Sequence, residues 1–452
     1  MRKMDQVQID LWTAVLPPEL WELPKELATV DGLLADDSIL APLAEPLHPT
    51  QGRPSVACAQ ILRLFYLQHA YGLSDRELMQ EASDSLHWRR FCHFGLGDRL
   101  PHPTTLTVWR RRLGPDRIQA VNEAVVARLH QRKIIRGRRF RQDSTVIEAD
   151  IEYPTDAGLL AKGIRALTRL GRKLSSVMGT TETKVPDRRR VVTRRLLAIS
   201  KLLRRRTGAA VQDVRRITGE MERIAAQQLR RVEPLLQQAA ESTVKIVQRL
   251  RGSTQELVDR VERLIQQSRA VTNGQRHFQD RLISLADPEA RPIVKGKLGR
   301  RVEFGYKVQV IEAEGGFVTD YTVETGNPPD TEALLPALDR HRVRFGRDPA
   351  IVATDRGYDS ADNQDSCKDR GIRTVAIPKR GRKSKDRRAF ERRPGFRSAQ
   401  RWRANGEATI GRLKQRYGLR RSRYRGRDRV ATGVGLGILA HNVRRWARQQ
   451  AS

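Results

Sequence analysis

Three acidic residues, far apart along the chain, have the chemistry to bind metal ions together. Asp143 lies in RFRQDSTVIEA, Asp355 in AIVATDRGYDS and Glu407 in RANGEATIGRLK. The two aspartates interrupt β-branched, apolar runs that predict strands, where a buried carboxylate is costly unless a metal or another partner compensates it. Phosphodiester cleavage needs an activated oxygen nucleophile and a stabilised leaving oxygen, and two divalent ions about 3.5–4 Å apart supply both. We therefore expect a metal site that acts on a phosphate backbone.

The carboxylates predict a hard cation, Mg²⁺ or Mn²⁺, because these ions prefer oxygen ligands and keep several waters. Asp355 follows its strand at the carboxyl end, where ligands gather in open α/β sheets, and Glu407 would reach the site from a helix. Asp150 is an alternative first ligand if the first strand runs further. Other nearby acids are interpreted as surface or helix-capping residues: Glu148, Glu152, Asp156, Glu303 and Asp359, the last as the cap of the helix that follows it.

The charge balance indicates a polyanionic partner. The chain of 452 residues has 86 Lys and Arg against 52 Asp and Glu, a formal net charge of +34. Nucleic acid explains such an excess because neutralised phosphates release counterions; a merely supercharged protein and a membrane-surface protein are the alternatives. No apolar stretch of about 18 residues predicts a membrane span, and no signal peptide is recognised. The three cysteines lack zinc-ligand spacing and predict packing residues in a reducing cytoplasm.

The first 132 residues predict two regions. Residues 1–50 are rich in proline and predict an irregular arm with short helices. Residues 51–132 predict a helical DNA-binding domain that resembles a helix-turn-helix, with Arg110, Arg111 and Arg112 on a short helix that ends at Gly114. A helical bundle with a solvated basic face is the alternative.

The rest of the chain predicts a mixed α+β and α/β domain with a helical insertion. Residues 133–157 and 281–447 form the mixed domain, starting with a strand at 138–148, and residues 158–280 carry apolar residues at helical spacing. An antiparallel hairpin turns at Gly315 and Gly316, and strands then alternate with helices, the first capped by Asp330. Pattern alone leaves the strand order open. The basic segment 379–428 interleaves aromatic residues with arginines, which suits a nucleic-acid backbone.

Several blocks of the sequence resemble the DDE transposases of bacterial insertion sequences, in the insertion-sequence four/five superfamily. They include GRPSVACAQILRLFYLQHAYGLSDRELMQEA, RQDSTVIEADIEYPTDAGLL, TGNPPDTEALLPAL and ATDRGYDS. The resemblance extends to a signature in which Arg403 lies four residues before Glu407 and Lys414 seven residues after it. Gln400 stands where that signature has a tyrosine, and Trp402 is a candidate to replace part of its role.

The resemblance implies an RNase H-like mixed sheet flanked by helices, with a helical N-terminal domain and the long insertion between its first two core strands. It implies that Asp143, Asp355 and Glu407 are the catalytic triad and hold two Mg²⁺ or Mn²⁺ ions. Water would free a 3′-hydroxyl, which would then attack target DNA. Lys414 would hold a phosphate, assisted by Arg403. Weaker candidates for DNA contacts are Arg291, Lys295, Lys297 and Lys307.

The function implied is cutting at the terminal inverted repeats of an insertion sequence and joining of the ends to target double-stranded DNA. We expect a homo-oligomer in the bacterial cytoplasm, associated with the nucleoid, and the insertion helices are candidates for the dimer contact. Two alternatives are a metal-dependent nuclease of the same fold and an inactive, transposase-derived DNA-binding protein.

Overall fold

The computed structural model describes residues 17–52, 54–180, 184–205, 207–275, 278, 280–294 and 302–451. The chain divides into two compact units, one formed by Met1–Asp150 with Tyr306–Ser452 and the other by Ile151–Gly305. The finer four-part division made from the sequence stays a prediction. Among the described residues, every helix is too short or too polar to cross a membrane.

Seven helices precede the first strand in the described part of the first unit: α1 (Pro18–Trp21), α2 (Lys25–Leu34), α3 (Asp37–Ala44), α4 (Cys58–Tyr71), α5 (Asp75–Asp84), α6 (Leu86–Phe91) and α7 (Thr104–Gln131). Ser74 and Glu77 form a capping box at the start of α5, as their spacing predicts. Gly114 breaks the helical geometry of α7 with a φ of 64°, but the helix resumes and continues to Gln131. The predicted end at Gly114 is therefore a kink.

The remaining elements of the first unit are one sheet and the helices around it: β1 (Arg139–Glu148), β3 (Val302–Glu312), β4 (Val318–Val323), α12 (Leu334–Phe345), β5 (Ile351–Thr354), α13 (Ala361–Asp369), β6 (Thr374–Ala376), α14 (Lys385–Arg392), α15 (Pro394–Ala404), α16 (Gly406–Arg416) and α17 (Arg427–Ala451). The strands lie in the order β4–β3–β1–β5–β6. β3 and β4 form the predicted antiparallel hairpin, whereas β1, β5 and β6 are parallel. The structure thus has the mixed α and β composition expected from the sequence.

Helices cover both faces of the parallel strands. Phe140 of β1 and Val352 of β5 belong to an apolar cluster with Leu334 and Leu338 of α12. On the opposite face, Ala353 and Ala376 pack with Phe396 and Ala399 of α15. Because side chains alternate between the faces of a strand, the α15 face is also the face of the odd-numbered residues of β1.

The second unit is mainly helical. Its helices are α8 (Asp156–Met178), α9 (Arg189–Leu203), α10 (Gly208–Ala240) and α11 (Lys245–Thr272). They share one apolar core, to which Leu160, Val232 and Val261 contribute. β2 (Arg291–Val294) pairs antiparallel with residues 302–305, the part of β3 that belongs to this second unit. Pro234 interrupts the apolar repeat but lies inside α10.

Two predicted helix caps are wrong. Ser360, not Asp359, caps α13, because the Ser360 hydroxyl accepts from the Asn363 N–H. Asp359 accepts from the Arg380 N–H instead. Asp330 lies in a short 3₁₀ turn, Asp330–Ala333, and makes no side-chain cap bond to α12. Its carboxylate faces other partners, described below.

Candidate active site

The pairing of β1 with β5 brings two of the predicted acids together. Gln142 of β1 lies opposite Thr354 of β5 in a parallel register. Asp143 and Asp355 are the next residues on these two strands, and neighbouring strands are about 4.8 Å apart. A side-chain oxygen of Asp355 accepts the Gly357 N–H at 2.7 Å, which fixes this carboxylate at the carboxyl end of β5. The sequence separates the two aspartates by more than two hundred residues, and the sheet makes them neighbours.

Arg403 links this pair to the third predicted acid. One terminal nitrogen of its guanidinium lies 3.4 Å from Asp143 Oδ2, and the other lies 3.7 Å from Glu407 Oε1. The side chain of Glu407 is 72% exposed, whereas that of Asp143 is 25% exposed. The positive charge between Asp143 and Glu407 in this structure is therefore that of Arg403.

The electrostatic environment of Asp143 is unfavourable for its ionised form. Burial raises the pKa of Asp143 to about 6, and the nearby carboxylate of Asp355 adds to the increase. The Arg403 guanidinium and the Ser144 N–H oppose it, and Asp330 contributes a further, smaller increase. Two adjacent carboxylates that repel each other gain stability when a cation binds between them.

Asp330 is a fourth acid at this edge, which the sequence argument treated only as a helix cap. Its carboxylate lies 2.8 Å from Lys307 Nζ and accepts the Gln309 amide at 2.8 Å. It also accepts weakly from the Ser144 hydroxyl at 3.4 Å. A Cβ added at Gly357 would lie 2.8 Å from an Asp355 oxygen and 3.3 Å from an Asp330 oxygen, so both carboxylates border that glycine. The available sequence signal is Pro328 and Pro329, which immediately precede Asp330 and favour a turn ahead of α12.

Hydrogen bonds from Gln400 fix α15 against the sheet. Its side-chain amide donates to the backbone oxygens of Thr354 at 3.0 Å and Ala376 at 2.5 Å, at the carboxyl ends of β5 and β6. Arg403 lies one helical turn further along α15. Gln400 thus attaches the helix to the strands beside the aspartates.

A buried ion pair supports the start of α16. Arg141 of β1 pairs with Glu312 of β3, and both side chains are at least 94% buried. The same guanidinium donates to the Trp402 carbonyl at 2.7 Å and lies over the Trp402 ring. A Cβ added at Gly406 would lie 3.0 Å from the Arg141 Nε, so glycine lets α16 begin close to the sheet and present Glu407. Trp402 serves this packing through its carbonyl and its ring.

The structure gives other roles to several predicted DNA-contacting residues. Lys307 is buried and donates to the Pro328 carbonyl at 2.7 Å as well as pairing with Asp330. Arg110 pairs with Asp75 and donates to Gln68. These two residues are therefore not open surface cations, because internal partners hold them.

Other candidates have different surroundings. Arg112 lies over the Trp109 ring, and Arg111 is exposed. Lys414 lies in the last turn of α16, two turns beyond Glu407. Arg291 belongs to the second unit and donates to the Pro288 carbonyl, while Lys295 and Lys297 lie outside the described residues. Asp150, the alternative first ligand, pairs with Arg421 at 2.7 Å.

The two partly buried aspartates at the sheet edge are donors that fit a divalent cation. Within the described ranges, no group of three or more His, Cys, Asp and Glu side chains is arranged to hold a metal ion. Asp143 and Asp355 nevertheless provide adjacent oxygen donors whose mutual repulsion a cation would relieve. Glu407 joins them here only through Arg403.

Comparisons with known proteins agree with the sequence blocks. Residues 20–112 match the model of a transposase domain (DUF772), and residues 272–443 match the model of the transposase DDE domain. A relative from Rhizobium meliloti, the uncharacterized protein ORF8 of the nfe locus, is 30% identical over 149 residues, which are 32% of this chain and 72% of that protein. No solved structure matches the chain significantly.

Proposed function

We propose that this chain, which belongs to the DDE transposases of insertion sequences, cuts DNA at its element's terminal inverted repeats and joins the 3′-hydroxyl ends to target DNA. The observation that carries this proposal is the β1–β5 register, which makes Asp143 and Asp355 neighbours with Arg403 and Glu407 beside them. The antiparallel hairpin followed by parallel strands supports an RNase H-like sheet as part of the proposal.

Each residue has a proposed role at a stated atom. The carboxylate oxygens of Asp143 and Asp355 would hold Mg²⁺ or Mn²⁺, and Glu407 would complete the ligand set. Bound divalent ions supply an activated oxygen nucleophile and stabilise the leaving oxygen. Arg403 keeps Asp143 and Glu407 near each other through its two terminal nitrogens. Asp330 touches this edge through the Ser144 hydroxyl, and Lys307 balances its charge.

The site's partners belong to the same proposal. Double-stranded DNA, both element ends and target, is the substrate class that fits the +34 charge. A homo-oligomer that pairs two ends, acting in the bacterial cytoplasm at the nucleoid, completes the proposed function. The helices of the second unit remain the candidates for self-association. Size-exclusion chromatography of the chain with and without residues 170–280 tests whether these helices mediate self-association. An unchanged oligomeric state without them would contradict that role.

The cleavage test uses duplexes that carry the DNA bracketing the gene, incubated with Mg²⁺. We expect Asp143→Asn, Asp355→Asn and Glu407→Gln each to lower cleavage at least about 10³-fold, which corresponds to about 4 kcal/mol of barrier. The matched controls are Asp339→Asn and Asp359→Asn, acids of the same unit with other partners, which should leave cleavage within about threefold. Equal losses in the controls would contradict the assignment.

A pre-cut donor with a free 3′-hydroxyl separates the alternatives. Joining of this donor to a target plasmid supports a transposase. Cleavage without joining supports a metal-dependent nuclease, and no reaction with either substrate supports an inactive DNA-binding derivative.

A further inference from the structure

A basic cleft in the first unit lies apart from the carboxylates and has no role in the site described above. It has a volume of about 790 Å³. Four parts of the chain line it: the α4–α5 turn, the start of α7, the end of β1, and the segment that runs from Lys414 to the start of α17. Among the residues that the structure describes, nine Lys and Arg border it, against two carboxylates, Asp75 and Asp150.

The walls of the cleft are tied to each other by internal bonds. Arg423 donates to the carbonyls of Leu73 at 3.1 Å and Gly72 at 3.2 Å, which joins the C-terminal segment to the α4–α5 turn. Ser422 N–H donates to the Glu148 carbonyl at 2.7 Å, which joins the same segment to β1. The cleft is therefore a built feature of the unit, formed by segments that are distant in sequence.

The two acids of the cleft are already neutralised. Arg110 pairs with Asp75, and Arg421 pairs with Asp150. A second set of arginines remains exposed without a carboxylate partner in the described part of the chain: Arg76, Arg111, Arg416, Arg425 and Arg429. A concave surface lined by one sign of charge focuses its field and attracts an anionic ligand.

The cleft continues the two elements that hold the proposed catalytic acids. Along β1, Ile147 lies four residues after Asp143, about 13 Å at the rise of a strand. Along α16, Lys414 lies seven residues after Glu407, about 10 Å at the rise of a helix. One DNA strand carries a phosphate about every 3.4 Å along the duplex axis, so these distances correspond to about three to four nucleotides.

We infer that this cleft binds the phosphates of one DNA strand, about three to four nucleotides from the bond that the carboxylates would cut. The inference rests on the proposed function for the identity of the DNA and for the position of the cut. It assigns Lys414 and the exposed arginines of α5, α7 and the C-terminal segment to one surface. The bases are not contacted in this assignment, so the contribution to affinity is independent of sequence.

The first experiment measures the salt dependence of binding to a 30-base-pair duplex, in EDTA so that no cleavage occurs. The test variant is Arg76→Ala/Arg429→Ala. The matched control is Arg138→Ala/Arg373→Ala, two exposed arginines at the amino-terminal ends of β1 and β6, at the opposite edge of the parallel strands. We expect the slope of log affinity against log salt to fall in magnitude by about 2 in the test variant and by less than about 0.5 in the control. Equal slopes in the two double variants would overturn the inference.

A charge-retaining variant separates lost phosphate contacts from damage to the fold. Arg76→Lys/Arg429→Lys keeps both point charges, so its slope should return to within about 0.5 of the wild-type value. A slope as low as that of the alanine variant, in a protein with wild-type thermal stability, would contradict a phosphate role.

The second experiment locates the contacted phosphates. Donor duplexes carry a single neutral methylphosphonate at each of the first eight positions from the cut. Wild-type protein should lose affinity at about the third and fourth positions, and Arg76→Ala/Arg429→Ala should be insensitive there. Sensitivity that is unchanged by the variant would overturn the inference. Absence of cleavage by the wild-type protein, together with the expected difference in salt slopes, would count only against the proposed chemistry.

Discussion

Two charged sites lie two residues apart on the same face of β1, and they are built in opposite ways. Arg141 meets Glu312, a backbone carbonyl and an aromatic ring, so an opposite charge and polar partners surround its buried guanidinium. Asp143 meets Asp355, another carboxylate, and the Arg403 guanidinium at 3.4 Å only partly compensates the repulsion. The first arrangement holds the sheet and α16 together. The second costs stability, which is characteristic of a site kept for binding a cation.

Asp330 lies between these two cases. It is an acid beside the aspartates, yet Lys307 and Gln309 compensate its charge at 2.8 Å each. Proximity to the site therefore does not define a metal ligand. The group that lacks compensation in the folded chain is the better candidate, and four predictions test this distinction.

The largest effect is expected at the compensated pair. Arg141→Met leaves the buried Glu312 carboxylate without its cation and should lower the free energy of unfolding by about 3–5 kcal/mol at pH 8. Because burial raises the pKa of Glu312 and the Arg141 guanidinium opposes that increase, the loss should be smaller at pH 5, where the carboxyl takes up a proton. Urea denaturation at both pH values measures it.

The double variant Arg141→Met/Glu312→Leu is the control for this pair, and it should recover most of the stability because no charge stays buried. Arg421→Met, which breaks the exposed pair with Asp150, should cost less than about 1 kcal/mol. A similar loss of stability in Arg141→Met and Arg421→Met would show that burial does not make the Arg141–Glu312 pair more important than an exposed pair.

Metal binding should stabilise the uncompensated site. At 100 times the dissociation constant, Mg²⁺ or Mn²⁺ should raise the free energy of unfolding of the wild-type protein by about 2.7 kcal/mol. Asp143→Asn and Asp355→Asn should lose this gain, whereas Asp150→Asn should keep it. Thermal melting over a metal titration measures the effect, and a full gain in Asp143→Asn would show that the ion binds elsewhere.

Asp143→Asn should stabilise the metal-free protein at pH 8. A pKa of about 6 in the folded protein, against 3.8 in the unfolded chain, means that the folded state binds more protons between these values. Wild-type stability therefore falls as pH rises from about 4 to about 6, by at most about 3 kcal/mol. The variant avoids that loss, so its advantage should be about 2 kcal/mol above pH 6 and absent below pH 4.

The control for this pH dependence is Asp150→Asn, since the Asp150 side chain is 59% exposed and paired with Arg421. Its stability relative to wild type should change by less than about 1 kcal/mol over the same range. An advantage of Asp143→Asn that persists at pH 4 would exclude carboxylate ionisation as its cause.

The sequence predicted the individual strands and helices of these sites better than the way in which they pair with one another. Strands around Asp143 and Asp355, the β3–β4 hairpin and the helix of Glu407 follow from local pattern, since each depends on residues near in sequence. The β1–β5 register and the Lys307–Asp330 pair depend on tertiary pairing between distant segments, which no local pattern contains. Lys307 shows the consequence, because a cation near a predicted strand looked available to DNA and is buried.

The smallest effect is expected at Gln400, which connects the uncompensated site to α15. Gln400→Leu leaves the Thr354 and Ala376 carbonyls without their side-chain donor, and the loss should lower the free energy of unfolding by about 1–2 kcal/mol. Arg403 lies on the same helix, so the variant should also cleave DNA more slowly in the presence of metal. Cleavage is measured at a temperature where the variant is fully folded, so that lost stability does not account for the decrease. Gln415→Leu, at an exposed position of α16, is the matched control and should change stability by less than about 0.5 kcal/mol. If Gln400→Leu lowers stability but leaves cleavage unchanged, Gln400 serves the fold alone, and the position of Arg403 depends on other contacts of α15.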